Sequence, residues 1–245
     1  MAASPTELRV GIATNYPPVA FKQRGEITGV EAQFARELVP ELGVKMTLVE
    51  TPFESLIPAL LAGRIDVIMS GMSITDERTK LVSFAHPYLR VGQMRLLRRA
   101  DAHRLENDAA MNRPTTRVGV VTGTTGETYA RAHLAHAKIQ SFDGVDAAVS
   151  ALRTDRIDVF IHDAPSIWRI TGGFDSPEHQ LVGRYEPLTE EYLAWAVRKD
   201  DDLRDRLNVV LRKWHDNGEL ERVLNRWIRT TRWTAKTPPQ RPKNQ

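Results

Sequence analysis

Arg64-Ile65-Asp66-Val67 recurs as Arg156-Ile157-Asp158-Val159, and each copy follows an apolar helical stretch, Phe53 to Ala62 and Val145 to Leu152. Upstream, Arg9-Val10-Gly11-Ile12 returns as Arg117-Val118-Gly119-Val120. Each half of the chain therefore opens on an Arg-Val-Gly strand and later carries a helix that feeds an Arg-Ile-Asp-Val strand. What comes next differs between the halves. The first copy runs into Ser70-Gly71-Met72-Ser73-Ile74-Thr75-Asp76-Glu77-Arg78, rich in hydroxyls and ending on a cation. The second runs into His162-Asp163-Ala164-Pro165 and presents an anion. Two similar α/β lobes offering opposite charges suit a small zwitterion held between them.

Strands alternating with helices of this length predict mostly parallel sheets built from βαβ units and flanked by helices. Leu8 to Ala13, Lys45 to Val49 and Ile65 to Met69 read as strands of the first lobe, with a helix from Glu31 to Leu42 closed by Gly43. The second lobe has a strand at Val118 to Val121, a helix from Thr128 to about His136 and the second repeat unit. Val91 to Arg98 and Leu193 to Val197 read as strands crossing between lobes, near residues 95 and 192. The first lobe is thus discontinuous, 7–96 and 192–233, and the second spans 97–191. Residues 234–245, proline-rich and without apolar clusters, read as a disordered tail. Two crossing strands make a hinge around which the lobes are expected to open and close as rigid bodies.

Composition narrows the function. The 245 residues are 41% hydrophobic and 27% charged, ordinary for a globular protein, and no apolar run reaches membrane-span length. The net charge of +3 is local: residues 222–245 hold seven Lys or Arg and no acid, which leaves 27 bases against 31 acids before them. No basic-aromatic stripe accompanies it, so no nucleic-acid partner is expected. Zero cysteines exclude disulfides, thiol catalysis and thiolate metal sites. The opening Met1–Pro5 has no basic-then-apolar pattern, so no signal peptide is read there.

Chemistry concentrates at the strand ends, where open α/β sheets bind ligands. Thr75 reads as a helix N-cap, which sets Arg78 in the first turn, where its guanidinium can take a carboxylate in a fork. A pairing of Arg78 with Asp76 or Glu77 on a solvated face is the bland alternative. Ser73 could add a hydroxyl. Asp163 at the matching second strand end could accept from an ammonium group, or could simply cap the helix begun by Pro165. Gly123-Thr124-Thr125-Gly126-Glu127-Thr128, between strand and helix, can offer backbone N–H groups to an anion and lacks the Gly-Lys-Ser/Thr ending of a nucleotide loop. Tyr16 and Phe53 follow strands of the first lobe and could flank a ligand side chain. His133 and His136 lack a third ligand, His86 and His162 lack a neighbouring nucleophile, and no metal, cofactor or catalytic set is expected.

Taken together, Tyr16-Pro17-Pro18, Gly29-Val30-Glu31, Ile57-Pro58-Ala59-Leu60, Ser70 to Arg78, Gly123-Thr124-Thr125 and Asp163 resemble the type 3 periplasmic solute-binding proteins, which deliver polar amino acids to ABC importers. The resemblance covers residues 7 to about 230. It implies a two-lobed flytrap fold, a periplasmic location, a monomer and a membrane ABC permease as partner. By the same resemblance, Arg78 with the Ser73 and Thr125 segments takes the α-carboxylate; Asp163, the Gly71 carbonyl and the Ser73 hydroxyl take the α-ammonium; Tyr16 and Phe53 line the side-chain pocket. Ser70, Met72 and Thr124 complete the expected ligand set. Relatives that bind basic amino acids carry an acid where this chain has Ala13, and glutamine-specific ones a Lys near Val121. The absent countercharge points to an uncharged ligand. Ser83 to Leu89 and Tyr129 to Leu134 also resemble periplasmic cyclohexadienyl dehydratases, but Ser166 stands where those enzymes carry a Glu acid. A sensing domain of a membrane receptor shares the same cleft.

Overall fold

A computed structural model of the chain describes residues 7–172, 180–184 and 186–228. The expected tail at 234–245 and the end of the first lobe at 229–233 lie outside the described residues. The chain opens with β1 (Glu7–Ile12), then a small antiparallel sheet of β2 (Asn15–Tyr16), β3 (Ala20–Gln23) and β4 (Glu26–Thr28). α1 (Val30–Leu42) ends on Gly43, whose left-handed backbone returns its N–H to Val39. β5 (Lys45–Glu50), α2 (Leu56–Leu61), β6 (Val67–Ile68), α3 (Asp76–Thr79) and β7 (Ser83–Phe84) follow. β8 (Leu89–Val91) leads into β9 (Gln93–Arg98), α4 (Asp108–Met111) and β10 (Arg117–Val121). Then come α5 (Thr125–His133), β11 (Lys138–Phe142), α6 (Val145–Arg153), β12 (Val159–Asp163), α7 (Ala164–Thr171) and β13 (Leu181–Arg184). β14 (Glu191–Leu193), β15 (Ala196–Val197), α8 (Leu203–Asp216) and α9 (Glu219–Trp227) complete the order.

The repeat becomes two five-stranded sheets of the same plan. One runs β5-β1-β6-β15-β7, the other β11-β10-β12-β9-β13. In each, four strands run one way and one runs against them, and that one, β15 or β9, comes from a segment that crosses between lobes. Register is duplicated as well: Val10 faces Val67 and Val118 faces Val159. The glycine of each Arg-Val-Gly strand has a steric reason. A Cβ on Gly11 would lie 2.2 Å from Ile65 Cδ1, and one on Gly119 would lie 2.3 Å from Ile157 Cδ1. The repeated glycine makes room for the repeated isoleucine.

The repeated acid has its own job. Asp66 accepts from the Arg9 backbone N–H at 3.0 Å and from its guanidinium at 2.9 and 2.7 Å, while Arg198 donates to the Ile65 carbonyl at 2.9 Å. Asp158 does the same with Arg117 at 2.8, 3.1 and 2.8 Å, and Arg98 donates to the Ile157 carbonyl at 2.6 Å. Burial pushes the Asp158 carboxyl up, but the Arg117 bonds outweigh it and hold its pKa at about 2. These clamps sit at the strand starts, far from the ligand end.

Cores differ by lobe. Phe34 of α1 stacks on Trp214 of α8 at 5.7 Å and meets Trp195 edge-on, so the returning C-terminal helices belong to the first lobe. Val145, Ala148, Leu152 and Phe160 fill one face of the second sheet, and Val118, Val120, Ala130 and Leu134 the other.

Three expectations shift. Residues 93–96, expected in the first lobe, form the start of β9 and pair with β12 and β13 of the second sheet. The actual connection is the two-stranded ribbon of β8 and β14, Val91 opposite Glu191 and Leu89 opposite Leu193. α5 begins at Thr125 rather than Thr128, because Thr124 caps the Glu127 N–H at 3.4 Å and Glu127 accepts from the N–H of Gly123, just ahead of the cap, at 2.8 Å.

Candidate functional site

Thr75 caps α3 through the Arg78 N–H at 3.2 Å, which aims the Arg78 side chain away from its acidic neighbours and into the gap between the lobes. Among the described residues no carboxylate pairs with it. Its guanidinium donates instead to the Ser73 carbonyl at 2.8 Å and, across the gap, to the Gly123 carbonyl at 3.1 Å. It also lies over the Phe53 ring, 5.5 Å from the centroid. Burial lowers its pKa, while Glu191 and Asp163 act the other way.

Asp163 stands at the N-cap position of α7 without bonding a helix N–H. Its two oxygens accept from the Tyr16 hydroxyl, a first-lobe group, and from the Gln93 amide. Burial, with help from the Glu191 charge, raises its pKa to about 7, against the Tyr16, Gln93 and Arg78 contributions. The gap is lined by Asn15, Tyr16, Phe53, Gly71, Ser73 and Arg78 from one side and by Val121, Thr124, Thr125, His162 and Asp163 from the other. Opposite charges thus stand in one cleft, with aromatic walls beside them.

Gly71 adopts a positive φ of 63°. A Cβ there would meet Tyr16 Cε1 at 2.7 Å, so only glycine lets the strand-end segment pass under the tyrosine. Ser70 and Met72, expected in the ligand set, point elsewhere. The Ser70 hydroxyl accepts from the Ala13 N–H at 2.9 Å and fastens the end of β1. Met72 is buried among Ala13, Leu56 and Leu60. Residues 71 and 73 thus face the cleft, and 70 and 72 the core. The threonine hydroxyls are also committed: Thr124 donates to the Val121 carbonyl at 2.7 Å and Thr125 to Glu191 at 2.7 Å. The Thr124 N–H is itself bonded to the Val121 carbonyl at 3.3 Å, so what this segment can offer an anion is the Thr125 backbone N–H in the first turn of α5, which has no partner within the helix.

Sequence reasoning passed over five residues here. Asn15 lines the cleft and donates to the Asp143 carbonyl across it. His162 lines it as a neutral imidazole, since burial lowers its pKa to about 3. Gln93, Glu191 and Glu31 form the buried hydrogen-bonded frame behind the lining residues. No short motif marks Gln93 or Glu191, and Gly29-Val30-Glu31 did not show what Glu31 bonds, because the partners lie far off in the chain. Among the described residues no group of three His, Asp or Glu side chains could hold a metal ion.

Comparison with known proteins shows what the chain as a whole is similar to. A "Probable histidine-binding protein" of Campylobacter jejuni is 36% identical over 73% of this chain and 67% of its own length. The "Histidine-binding periplasmic protein" of Escherichia coli K12 is 30% identical over 93% of this chain and 89% of its own. Among solved structures, an ancestral amino acid-binding protein described as a precursor of cyclohexadienyl dehydratase superposes with a TM-score of 0.85 at 33% identity, covering 91% of this chain and 96% of that one. A putative binding component of an ABC transporter from Wolinella succinogenes, complexed with lysine, gives a TM-score of 0.85 at 31% identity, over 93% of this chain and 98% of that one. With a family match spanning residues 8–230, this chain belongs to the bacterial extracellular solute-binding proteins, family 3.

Proposed function

We propose that this protein captures a free amino acid between its lobes outside the cytoplasm and, closed around it, docks as a monomer on a membrane ABC permease. The observation that carries the reading is Arg78 from one lobe and Asp163 from the other lining the same cleft, each without a salt-bridge partner among the described residues. A guanidinium can hold the α-carboxylate in a fork, aided by the Thr125 backbone N–H, and Asp163 can accept from the α-ammonium. Tyr16 and Phe53 would flank the ligand side chain. Apart from Asp163, the lining residues carry no carboxylate. This favours a side chain without net charge, an imidazole, amide or hydroxyl, over a guanidinium. The two relatives named for histidine fall within that class.

The protein is a binder rather than an enzyme on this reading. Ser166, at the position where the dehydratase pattern carries its acid, is fully buried and gives its hydroxyl to the Pro17 carbonyl at 2.9 Å. Elimination would need a proton delivered to the leaving hydroxyl. Calorimetry against the twenty standard amino acids tests the proposal, with L-histidine and L-glutamine expected to bind more tightly than L-arginine. Arg78→Ala should weaken whichever binds by at least about a hundredfold, the loss of two charge-assisted bonds. No binding by any of the twenty rejects the reading, and phenylpyruvate formed from prephenate by the same preparation overturns the choice of binder over enzyme.

A further inference from the structure

We propose that Glu31 and Glu191 are matched positioning residues, one behind each lobe's ligand-binding segment, that hold that segment in fixed relation to both strands of the hinge ribbon. The proposal rests on the amino-acid reading above and deepens it.

In the first lobe, Glu31 accepts from the Gly71 N–H at 2.7 Å, the Tyr88 hydroxyl at 2.6 Å and the Trp195 indole N–H at 2.9 Å. Gly71 belongs to the segment beside the cleft. Tyr88 immediately precedes β8, and Trp195 closely follows β14. In the second lobe, Glu191 accepts from the Thr125 hydroxyl at 2.7 Å, the Thr189 hydroxyl at 2.7 Å and the Gln93 amide at 3.2 Å. Thr125 lines the cleft. Gln93 closely follows β8, and Thr189 lies just before β14. Each glutamate thus bonds one residue on each crossing segment and one residue of a ligand-binding segment, Glu31 from α1 of the first lobe and Glu191 from β14 of the ribbon itself. The two sets lie on opposite ends of the same two-stranded ribbon.

Both side chains are withdrawn from water, Glu31 with no exposure and Glu191 with 9%. A buried carboxylate is an acceptor that needs several donors and contributes little net stability, so apolar residues would serve a purely structural role as well. What three convergent donors supply is geometry. Gln93 extends the second set to the ligand-facing carboxylate, since its amide also bonds Asp163. A change in the angle between the ribbon strands therefore reaches Gly71 in one lobe and Thr125 with Asp163 in the other through single hydrogen bonds.

The absence of cysteine makes the test direct. Lys45→Cys and Lys138→Cys place one spin label on the exposed start of an edge strand in each lobe, and pulsed dipolar spectroscopy reads the distance between them. The labelled chain is compared with its E31Q, E191Q and Y88F/T189V versions, alone and with an equimolar mixture of the twenty standard L-amino acids. The glutamate variants should broaden the ligand-free distribution and raise the amino-acid concentration for half-closure by about tenfold. Y88F/T189V, which keeps both carboxylates and removes one hinge bond from each, should do the same to a smaller degree and stands in if a glutamate variant folds poorly. Asp66→Asn, at the strand starts of the first sheet and away from the cleft, should lower Tm and change neither readout. Variants that match the parent in both readouts, or an Asp66→Asn chain that reproduces their effect, overturn the proposal. A parent that closes with no amino acid sinks the amino-acid reading instead. Unbroadened ligand-free distributions in the variants would then still overturn the positioning role.

Discussion

Asp163 is the residue whose chemistry depends most on its surroundings. Its pKa of about 7 arises from burial and the Glu191 charge, and the groups facing it are Tyr16, Gln93, Glu191 and Arg78. An ammonium group bonded to Asp163 needs the carboxylate form, so binding should draw a proton off at neutral pH. The sign follows from the raised value: above pH 7 the site is ready-charged, and below it amino-acid affinity falls, approaching about tenfold per pH unit. Calorimetry in two buffers of different ionisation enthalpy should show net proton release near pH 7. Affinity unchanged between pH 5 and 8 would remove Asp163 from the ammonium contact. The segments carrying Arg78 and Asp163 were legible in the chain because each follows a copy of the repeated strand, yet the environment that tunes Asp163 was not. Gln93 and Glu191 are separated from it by 70 and 28 positions, and only the fold brings Gln93 into contact with it and Glu191 close behind.

At the scale of elements, the repeat explains itself once register is known. Gly119 lets Ile157 close over its strand, with the Ile157 Cδ1 atom only 2.3 Å from where a Cβ would stand. Gly119→Ala should therefore destabilise the second lobe by about 1–3 kcal/mol through overpacking. Ile157→Val removes the colliding methyl and alone should cost about 0.5–1.5 kcal/mol. The two changes are in contact, so they should not add: Gly119→Ala/Ile157→Val should be more stable than the sum of the single losses predicts. Urea unfolding of the four proteins measures this, and simple additivity would mean that the backbone, not the side chain, absorbs the clash. The helix and strand pattern was readable because periodicity and Gly or Pro punctuation were strong, as for α1 and α8. The start of α5 was misplaced because its apolar face begins later than its hydrogen-bonded cap. The Val91–Arg98 strand read as one element because alternation runs through Gly92, whereas β8 and β9 pair in different sheets.

The whole molecule is held closed by bonds that span the lobes away from the hinge ribbon. Tyr16 reaches Asp163, Asn15 the Asp143 carbonyl, Arg78 the Gly123 carbonyl, and Ser166 the Pro17 carbonyl. Three of these use groups that line the cleft, so altering them would confuse closure with contact. Ser166 is the clean probe, since it is buried, outside the lining, and joined to Pro17 at 2.9 Å. Removing a neutral bond of this kind costs about 1 kcal/mol, which shifts the closed-to-open ratio about fivefold. Ser166→Ala should weaken amino-acid binding by about that factor while leaving every lining residue in place. Because encounter takes place with the open form, the change should appear in dissociation rather than association. Stopped-flow tryptophan fluorescence separates the two rates. A slower association with unchanged dissociation would show that the Ser166 bond shapes the open lobe instead of latching the closed pair.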